Sequence, residues 1–232
     1  MAQKSQTRCA VVMMGPPGGG KTTLARAIAG RGPFVTAEPG TLLEREIRDG
    51  TQLGSRIKHF KLAGELVPAE TVKQVIGDEL KRADRKHVLF DGFPRSTEQI
   101  EMLFQLLNEH NLELCGILIV DADPQLALQR ITGRRICSKC GAVYNIYTQP
   151  PKQAGKCQRC GEELIQRQDD REETVRKRLA TYERETVPAI EFFRKKYSDL
   201  IWEESAKVTP EQLLERTWKR LKGHQIRMTN DE

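Results

Sequence analysis

The stretch GPPGGGKTT at residues 15–23 constrains the fold more than any other part of the chain. It contains the pattern G-x-x-x-x-G-K-[ST] and lies between the apolar run CAVVMM and the helix-like run LARAIA. In such a loop, successive main-chain N–H groups curl around phosphate oxygens, and the following helix directs its positive end at the same anion. The strand–loop–helix context favours this interpretation over a glycine-rich turn that binds nothing. The stretch therefore predicts a site for the phosphates of a nucleotide.

Individual residues of this loop have distinct predicted roles. The phosphate cradle consists of four glycines, Gly15, Gly18, Gly19 and Gly20, and Lys21 reaches the outer phosphates. A hydroxyl from Thr22 or Thr23 approaches a magnesium ion. The run HVLF ends in Asp91, the kind of acidic residue that helps to hold magnesium beside a phosphate loop. The expected ligand is a nucleotide with Mg²⁺.

Strand-like and helix-period segments alternate along the chain. Strands are predicted at 8–14, 87–91, 114–121 and 199–203, and helices at 21–30, 41–62, 69–83, 97–109, 124–132, 171–196 and 210–222. Alternation with short apolar strands predicts an α/β fold in which helices cover both faces of a parallel sheet. Residues 133–168 break the pattern and predict a small inserted subdomain, and the tail at 223–232 lacks periodicity and is expected to be loose.

The overall composition is compatible with an enzyme that binds anions. The net charge is +6 and the isoelectric point is about 9.0, which suits nucleotides and only weakly suits nucleic acid. No apolar run is long enough to span a bilayer, and the N-terminal MAQKSQTR has no signal-peptide character. We therefore expect a cytoplasmic protein that does not enter membranes.

Four of the six cysteines form two similar CxxC pairs, each followed by glycine. The pairs are Cys137 with Cys140 and Cys157 with Cys160, with sixteen residues between them, which matches the spacing of zinc sites. A redox dithiol or paired disulfides are the alternatives. Four sulfur ligands leave no open coordination position, so the predicted Zn²⁺ is structural. The other two, Cys9 and Cys115, are expected to be buried core residues.

Several further motifs resemble those of nucleoside monophosphate kinases, and most closely those of the adenylate kinase family. They are DGFPRS at 91–96 followed by Gln99, GELVP at 64–68, RITGRR at 130–135 and RQDDREETVRKRL at 167–179. The resemblance covers residues from about 11 to 221. It implies transfer of the ATP γ-phosphoryl group to a nucleoside monophosphate, with AMP as the default acceptor, so that ATP + AMP gives 2 ADP.

The resemblance also implies a domain organisation. A P-loop core with a five-stranded parallel sheet would comprise residues 1–36, 70–132 and 169–222. A helical insert at 37–69 would bind the monophosphate, and a zinc-ribbon-like lid at 133–168 would close over both nucleotides. We expect one chain to act as a monomer.

The residues that the resemblance places on the phosphates are mostly arginines. Because phosphoryl transfer between two polyanions needs charge neutralisation and positioning, planar guanidinium groups suit this task. Two acidic residues, Asp169 and Asp170, fall where the family orients these arginines. The implied contacts are Arg95, Arg130, Arg134, Arg167 and Arg178.

The acceptor side departs from the family pattern. Where adenylate kinases have a segment like STGDLLR, this chain reads EPGTLLE at 38–44, so that Pro39 replaces Thr and Glu44 replaces the phosphate-binding Arg. Either Arg45 or Arg48 is a candidate to compensate. Gln99 is retained at the position that reads the base edge, which favours adenine. The remaining implied acceptor contacts are Gly40, Glu65, Leu66, Val67, Gly92, Arg95, Arg167 and Arg178.

Three functions are compatible with these observations. The first is an ATP-dependent kinase for AMP, and the second is a kinase for another nucleoside monophosphate, which Pro39 and Glu44 motivate. The third is a nucleotide sensor without activity, or a nucleic-acid-binding zinc protein. The retained lid arginines argue against the third. So does the lid composition, because Tyr144 and Tyr147 are its only aromatic residues.

Overall fold

The computed structural model describes residues 8–63, 67–83 and 86–223. The strands of the described chain are β1 (Arg8–Met14), β2 (Phe34–Ala37), β3 (His87–Asp91), β4 (Leu112–Asp121), β5 (Arg134–Cys137), β6 (Val143–Asn145), β7 (Leu164–Ile165) and β8 (Ile201–Ser205). Five of them form a sheet in the order β2-β3-β1-β4-β8, and every neighbouring pair in it is parallel. The predicted α/β fold with a five-stranded parallel sheet is confirmed.

Helices cover both faces of this sheet. They are α1 (Lys21–Ala29), α2 (Pro39–Arg48), α3 (Gln52–Ala63), α4 (Ala69–Arg82), α5 (Thr97–Glu109), α6 (Pro124–Thr132), α7 (Glu172–Thr181), α8 (Val187–Lys196) and α9 (Pro210–Gly223). Helices α1 and α9 pack on one face, and helices α2 to α5 with α8 pack on the other. The carboxyl ends of the parallel strands therefore lie at one edge of the sheet, between the two helical layers. This edge is where α/β proteins bind ligands.

The central strand β1 shows why the sheet is buried on both faces. Ala10, Val12 and Met14 point into one apolar cluster, and Val11 and Met13 point into the other. Successive side chains of a strand alternate between faces, so a continuous apolar run suits only a strand covered on both sides. The phosphate loop follows directly on this strand and is therefore anchored to the buried centre of the sheet.

The other three strands form a small antiparallel sheet in the order β6-β5-β7. Its apolar cluster contains only Cys137, Ala142 and Cys157 as buried members, with Tyr144 and Leu164 packed against them. A core of this size cannot by itself stabilise a subdomain, so a metal or another crosslink is expected to support it.

Several predicted boundaries were wrong. The helix predicted at 41–62 is two helices, α2 and α3, because the chain turns at Asp49 and Gly50, and Gly50 has a positive φ of 65°. The helix predicted at 171–196 contains a π-helical segment, Tyr182–Thr186, between α7 and α8. Strand β2 was missed, β4 starts at Leu112, and β8 is shifted towards the C-terminus after a 3₁₀ turn at Ser198–Leu200.

Cys9 and Cys115 form a disulfide bond between the adjacent strands β1 and β4. Cys9 is buried, as predicted, but Cys115 is only partly buried, and their pairing was not predicted. The sequence contains no signal for this bond, because the two residues are 106 positions apart and only the strand register brings them together.

Some predictions fall outside the described residues. These are Glu65 and Leu66 on the acceptor side and residues 224–232 of the tail, whereas Gly223 is the last residue of α9. In the part of the chain that is described, no helix has both the length and the apolar character needed to cross a bilayer.

Candidate active site

The phosphate loop between β1 and α1 has the geometry of an anion cradle. Gly15, Gly18 and Gly20 all have positive φ angles, of 134°, 80° and 89°. A side chain at Gly15 would overlap the main-chain carbonyl of Val120, and one at Gly18 would approach the carbonyl oxygen of Ala127 at 2.8 Å. Both conformation and space therefore require glycine at these two positions. Gly19 completes the loop, and its N–H donates to the Pro16 carbonyl at 3.2 Å.

The N-terminus of α1 is left open to a ligand. Its N-cap residue, Gly20, provides no side-chain hydrogen bond, and no acidic residue lies in the first turn. The first N–H groups of a helix have no intrahelical partner and carry a partial positive charge. A phosphate that enters the loop meets these donors without competition from a capping carboxylate.

Lys21 lies folded back against this loop. Its ammonium group donates to the carbonyl oxygens of Gly15 and Pro16, both at 2.8 Å. Burial lowers the pKa of Lys21 to about 8, and the nearby Asp91 partly opposes this effect. The positive charge of Lys21 is therefore costly in the free protein, and an incoming anion compensates it.

Asp91 occupies the carboxyl end of β3, next to β1. Its carboxylate is buried and accepts a hydrogen bond from the hydroxyl of Thr22. A carboxylate and a hydroxyl held together beside a phosphate loop are suitable oxygen ligands for Mg²⁺, directly or through water. Of the two threonines that the sequence offered, the structure brings Thr22 to Asp91, and Thr23 is exposed.

Arg95 is positioned by a short network of main-chain contacts. Its Nε donates to the Gly92 carbonyl at 2.7 Å, and its main-chain N–H donates to Oε1 of Gln99 at 2.8 Å. The carbonyl of Arg95 accepts from the hydroxyl of Thr186 at 2.9 Å. Gly92 has a φ of 69°, so the turn that aims Arg95 also requires glycine.

Arg134 of the small sheet and Arg178 of the helical arm, which consists of α7, the π-helical segment and α8, approach the same region. Asp170, which is fully buried, accepts two hydrogen bonds from the Arg134 guanidinium in a bidentate pair. Arg178 donates to the main-chain oxygen of Asp169 at 3.2 Å. The paired acidic residues thus hold two arginines, one through a carboxylate and one through a carbonyl.

These cations converge on one another. The pKa of Arg178 is lowered by burial and then by the positive charges of Arg134 and Arg95. The charges of Arg95 and Arg178 likewise act on Lys21 and lower its pKa. Mutual repulsion of this kind in the free protein marks a place that is built to receive a polyanion.

The two other predicted arginines are placed differently. Arg130 donates to the main-chain oxygen of Ala206 at 2.8 Å, and burial lowers its pKa. Arg167 is exposed at the start of the 3₁₀ turn Gln168–Asp170. Asn145 of the small sheet donates to the Arg130 carbonyl at 2.8 Å and so connects this sheet to α6.

The acceptor segment forms the first turns of α2. Pro39 is buried at the start of the helix, while Gly40 and Glu44 are exposed. The Arg45 guanidinium is partly buried against the Glu79 carboxylate of α4, whereas Arg48 is largely exposed and pairs with Asp49. Val67 packs at the edge of the main apolar cluster. The structure thus commits Arg45 to a structural ion pair and leaves Arg48 the freer of the two.

Glu38 and Thr186 are two residues near the site that the sequence did not single out. The charge of Glu38 acts on Lys21, and its carboxylate accepts from the Thr41 hydroxyl at 2.6 Å. Thr186 supports Arg95 from the π-helical segment. Glu38 is the first residue of the acceptor segment EPGTLLE and stands where the family segment STGDLLR has Ser, so the sequence contained a signal for it. The sequence contained no signal for Thr186, which lay within a predicted helix.

The four paired cysteines form a compact cluster. The Sγ atoms of Cys137 and Cys160 are 3.4 Å apart, those of Cys140 and Cys157 are 3.5 Å apart, and all four lie within 4.8 Å of one another. Tetrahedral zinc with Zn–S bonds of about 2.3 Å needs sulfurs about 3.8 Å apart, so the cluster fits this metal. None of the four is disulfide-bonded, which excludes that alternative.

The two knuckles that carry these cysteines are alike. Gly141 and Gly161 follow the pairs with φ angles of 69° and 75°. Their N–H groups donate to the carbonyls of Cys137 and Cys157 at 3.0 and 2.8 Å. The repeated turn presents the two sulfurs of each pair to a common centre, as in zinc-ribbon sites.

The fold and the site together define a P-loop enzyme that transfers a phosphoryl group between nucleotides. The parallel sheet with β1 at its centre, the phosphate loop, the Thr22–Asp91 pair and the converging arginines match the requirements of this chemistry. The class is that of the nucleoside monophosphate kinases.

Comparison with known proteins gives the family. The adenylate kinase family model matches residues 13–198. The chain is 42% identical to the adenylate kinase of Caldanaerobacter subterraneus subsp. tengcongensis, over 80% of this chain and 85% of that protein. It is 40% identical to the adenylate kinases of Clostridium perfringens and Archaeoglobus fulgidus, over 80% of this chain and 87% and 86% of theirs. The chain belongs to the adenylate kinase family.

The lowered pKa of Lys21 predicts that nucleotide binding is linked to proton uptake. At pH 8 about half of the Lys21 side chains are neutral, and a bound polyphosphate raises their pKa, so ADP binding should take up protons. At pH 6.5 Lys21 is already charged, so proton uptake by its side chain on ADP binding should vanish. Calorimetric titration in two buffers with different ionisation heats measures the uptake. Lys21→Arg, which is charged at both pH values, is the control, and equal wild-type heats in both buffers at pH 8 would contradict the prediction.

Loss of the buried Asp170 carboxylate should loosen Arg134. Asp170→Asn removes the negative charge and one of the two hydrogen-bond acceptors of Arg134, and it is expected to lower the free energy of unfolding by about 2 kcal/mol. The rate of phosphoryl transfer should fall more than the affinity for ATP. Denaturant unfolding and steady-state kinetics measure both effects. The matched control is Asp169→Asn, which retains the carbonyl that Arg178 uses, and an equal loss of stability in the two variants would refute this role for Asp170.

Removal of one sulfur ligand should release the metal. Cys140→Ser is expected to reduce zinc from one ion per chain towards none, as measured by mass spectrometry of the purified protein. The thermal midpoint should also fall, because the small sheet has few other buried side chains. The control is Lys139→Ala, which changes a residue between the ligands Cys137 and Cys140 and should keep its zinc. Full zinc content and unchanged melting of Cys140→Ser would show that the cluster is not a zinc site.

Proposed function

We propose that this protein catalyses the reversible Mg²⁺-dependent transfer of the ATP γ-phosphoryl group to AMP, which yields two ADP molecules. The convergence of Lys21, Arg95, Arg134 and Arg178 beside the phosphate loop is the observation that carries the proposal. Four cations, one each from the start of α1, the turn after β3, the small sheet and the helical arm, lie in one region, which matches the charge that accumulates as two nucleotide phosphates approach each other.

The donor phosphates would be held by the loop between β1 and α1. The N–H groups of Gly18, Gly19 and Gly20 and the N-terminus of α1 bind the inner phosphates, and Lys21 moves from the carbonyls of the loop onto the outer ones. Thr22 and Asp91 would hold the magnesium ion. When bound, the ion would neutralise phosphate charge.

The arginines would neutralise and align the transferred group. Arg95, aimed by the Gly92 turn, would contact the acceptor phosphate, while Arg134 and Arg178 would contact the transferring phosphoryl group. Arg130 and Arg167 would join when the lid closes over the nucleotides. Closure would also exclude water, which limits wasteful hydrolysis of ATP.

The domain organisation proposed for this function follows the family pattern. The core is assigned to residues 1–36, 70–132 and 169–222, the monophosphate-binding insert to 37–69, and the lid to 133–168. The zinc ion would be structural, because four thiolates complete its coordination. We further propose that the protein acts in the cytoplasm. We also propose that it acts as a monomer, since all of the proposed contacts come from one chain.

Adenine is the base that the site favours in the acceptor. Oε1 of Gln99 accepts from the Arg95 main chain, which fixes the amide and leaves its NH₂ group for the base edge. The acceptor segment nevertheless lacks the family's phosphate-binding arginine, and Glu44 stands in its place. A kinase for another nucleoside monophosphate is therefore the second candidate, motivated by Glu44 and Pro39.

A phosphotransfer assay with ATP and Mg²⁺ against AMP, GMP, CMP, UMP and dAMP tests the proposal. AMP should give the highest kcat/KM of the five acceptors. Its KM should be higher than that of an adenylate kinase that keeps the arginine replaced here by Glu44, because one charge-assisted hydrogen bond to the AMP phosphate is missing. Glu44→Arg should restore that bond, worth about 1.5–3 kcal/mol, and lower the KM for AMP by about tenfold or more. The KM for ATP should not change.

The matched control is Arg48→Glu, four residues further along the same helix. It should raise the KM for AMP if Arg48 has taken over the phosphate contact, and it leaves the Arg45–Glu79 pair intact. A preference for another monophosphate would establish the second candidate instead. No transfer to any of the five would refute the proposed reaction.

A further inference from the structure

A cavity of about 390 Å³ lies behind the phosphate loop, outside the group of converging cations. Its floor is formed by Pro16 and by the end of β4, including Ile119. Its wall is the helical arm, with Leu179 of α7 and Ile190 of α8 on either side of the π-helical segment. The volume lies within the range of small-molecule sites, and the lining is mainly aliphatic.

The charged groups at this cavity are predominantly acidic. Asp121 at the end of β4 and Glu183 in the π-helical segment both line it, and neither carboxylate has a hydrogen-bond or ion-pair partner among the described residues. The one basic residue of the lining, Arg194, is already neutralised by Glu191 and by Glu203. The net charge that faces the cavity is therefore negative.

Asp121 and Glu183 are exposed residues of the lining, and both lie close enough to Tyr182 for their charges to act on it. Tyr182 also lines the cavity, and burial, followed by the charges of Glu183 and Asp121, raises the pKa of its hydroxyl to about 12. Tyr182 thus stays neutral at physiological pH and can donate or accept a hydrogen bond. An apolar chamber with two unpaired carboxylates and a phenol at its rim suits an amine attached to a compact apolar body.

We propose that this cavity is a binding site for a small organic cation, an amine on an apolar body, separate from both nucleotide sites. Nucleotides are excluded by charge, because Asp121 and Glu183 repel phosphate. An amine is likewise repelled by Lys21 and the arginines of the active site. The two regions share the phosphate loop but have opposite charge, so they select different ligands.

The position of the cavity links it to the active site. Its floor includes Pro16, whose carbonyl accepts from Lys21, and its wall includes the segment whose last residue, Thr186, donates to the Arg95 carbonyl. π-helical segments inside helices are frequent at functional sites. An occupant that shifts this segment should therefore change the rate of phosphoryl transfer, a step that rests on the proposed contact of Arg95 with phosphate.

The binding test uses three probes of similar shape and different charge on the full chain with its metal. They are 2-phenylethylamine, 2-phenylethanol and 3-phenylpropionate, titrated by calorimetry. The amine should bind about tenfold or more tightly than either of the others. It should bind equally well with a saturating non-hydrolysable ATP analogue present. No binding of the amine at millimolar concentrations, equal binding of the alcohol, or displacement by the analogue would overturn the proposal.

Variants place the amine in this cavity. Glu183→Gln should weaken amine binding by about tenfold, and Ala180→Phe, which fills space at the lining, should abolish it while circular dichroism shows an intact fold. The matched control is Glu173→Gln, an exposed carboxylate on α7 that pairs with Lys177 outside the cavity. Amine binding that survives Ala180→Phe, or that Glu173→Gln weakens as much as Glu183→Gln does, would show that the amine binds elsewhere.

The link to catalysis is measured separately from binding. The ratio of kcat with and without saturating amine should differ from one in the wild type and return towards one in Thr186→Val, which lacks the donor to Arg95. Because binding is read by calorimetry without turnover, failure of the proposed AMP kinase activity leaves the binding result intact. An unchanged kcat on binding to the wild type would overturn the link.

Discussion

The structure is organised around a concentration of positive charge at the carboxyl end of β1. Burial, and then the positive charges of neighbouring cations, lowers the pKa values of Lys21 and Arg178, so that Lys21, Arg95, Arg134 and Arg178 form one region of like charge in the free protein. Main-chain carbonyls and one fully buried carboxylate, that of Asp170, hold them in place. The unfavourable electrostatics of the free site are the source of its affinity for polyanions, because bound phosphates remove the repulsion without further reorganisation.

The acceptor segment is the part of the chain where the sequence departs most clearly from the family pattern. Glu44 and Pro39 alter the side that would bind the monophosphate, whereas the residues around the donor phosphates follow the family pattern. The ion pair of Arg45 with Glu79 connects α2 to α4 and so has a structural role. Under the proposed function, the altered residues would bear on which acceptor is used and how tightly it binds, since transfer itself would depend on the loop, the arginines and the metal.

The sequence predicted the ends of elements best where a special residue defines them. Helix α5 begins after Ser96, whose hydroxyl accepts from the Gln99 N–H, and α6 begins after Asp123, which caps it in the same way and precedes a proline. The predicted bounds of both helices are those observed. Strand β2 was missed because it has four residues with only two of them buried, which leaves too short a pattern.

The π-helical segment and the disulfide could not be predicted for a different reason. The sequence of residues 182–186 is compatible with an ordinary helix, and the contact of this segment with Arg95 through the Thr186 hydroxyl appears only in the folded chain. Cys9 and Cys115 are brought together by the pairing of β1 with β4, which depends on the whole sheet. The cavity between the helical arm and the end of β4 likewise depends on how distant parts of the chain pack together, so it could not be predicted from the sequence.

By itself, the sequence determined the phosphate loop, the four-cysteine cluster and the α/β class, because each depends on residue types at fixed local spacing. Glycines adopt positive φ, paired cysteines with a following glycine form a knuckle, and apolar runs form buried strands. Only the tertiary structure decided that Thr22 meets Asp91, that Arg45 faces Glu79, and that Arg134 is held by Asp170. These contacts join residues 34 to 69 positions apart, and their geometry follows from the packing of whole helices against the sheet.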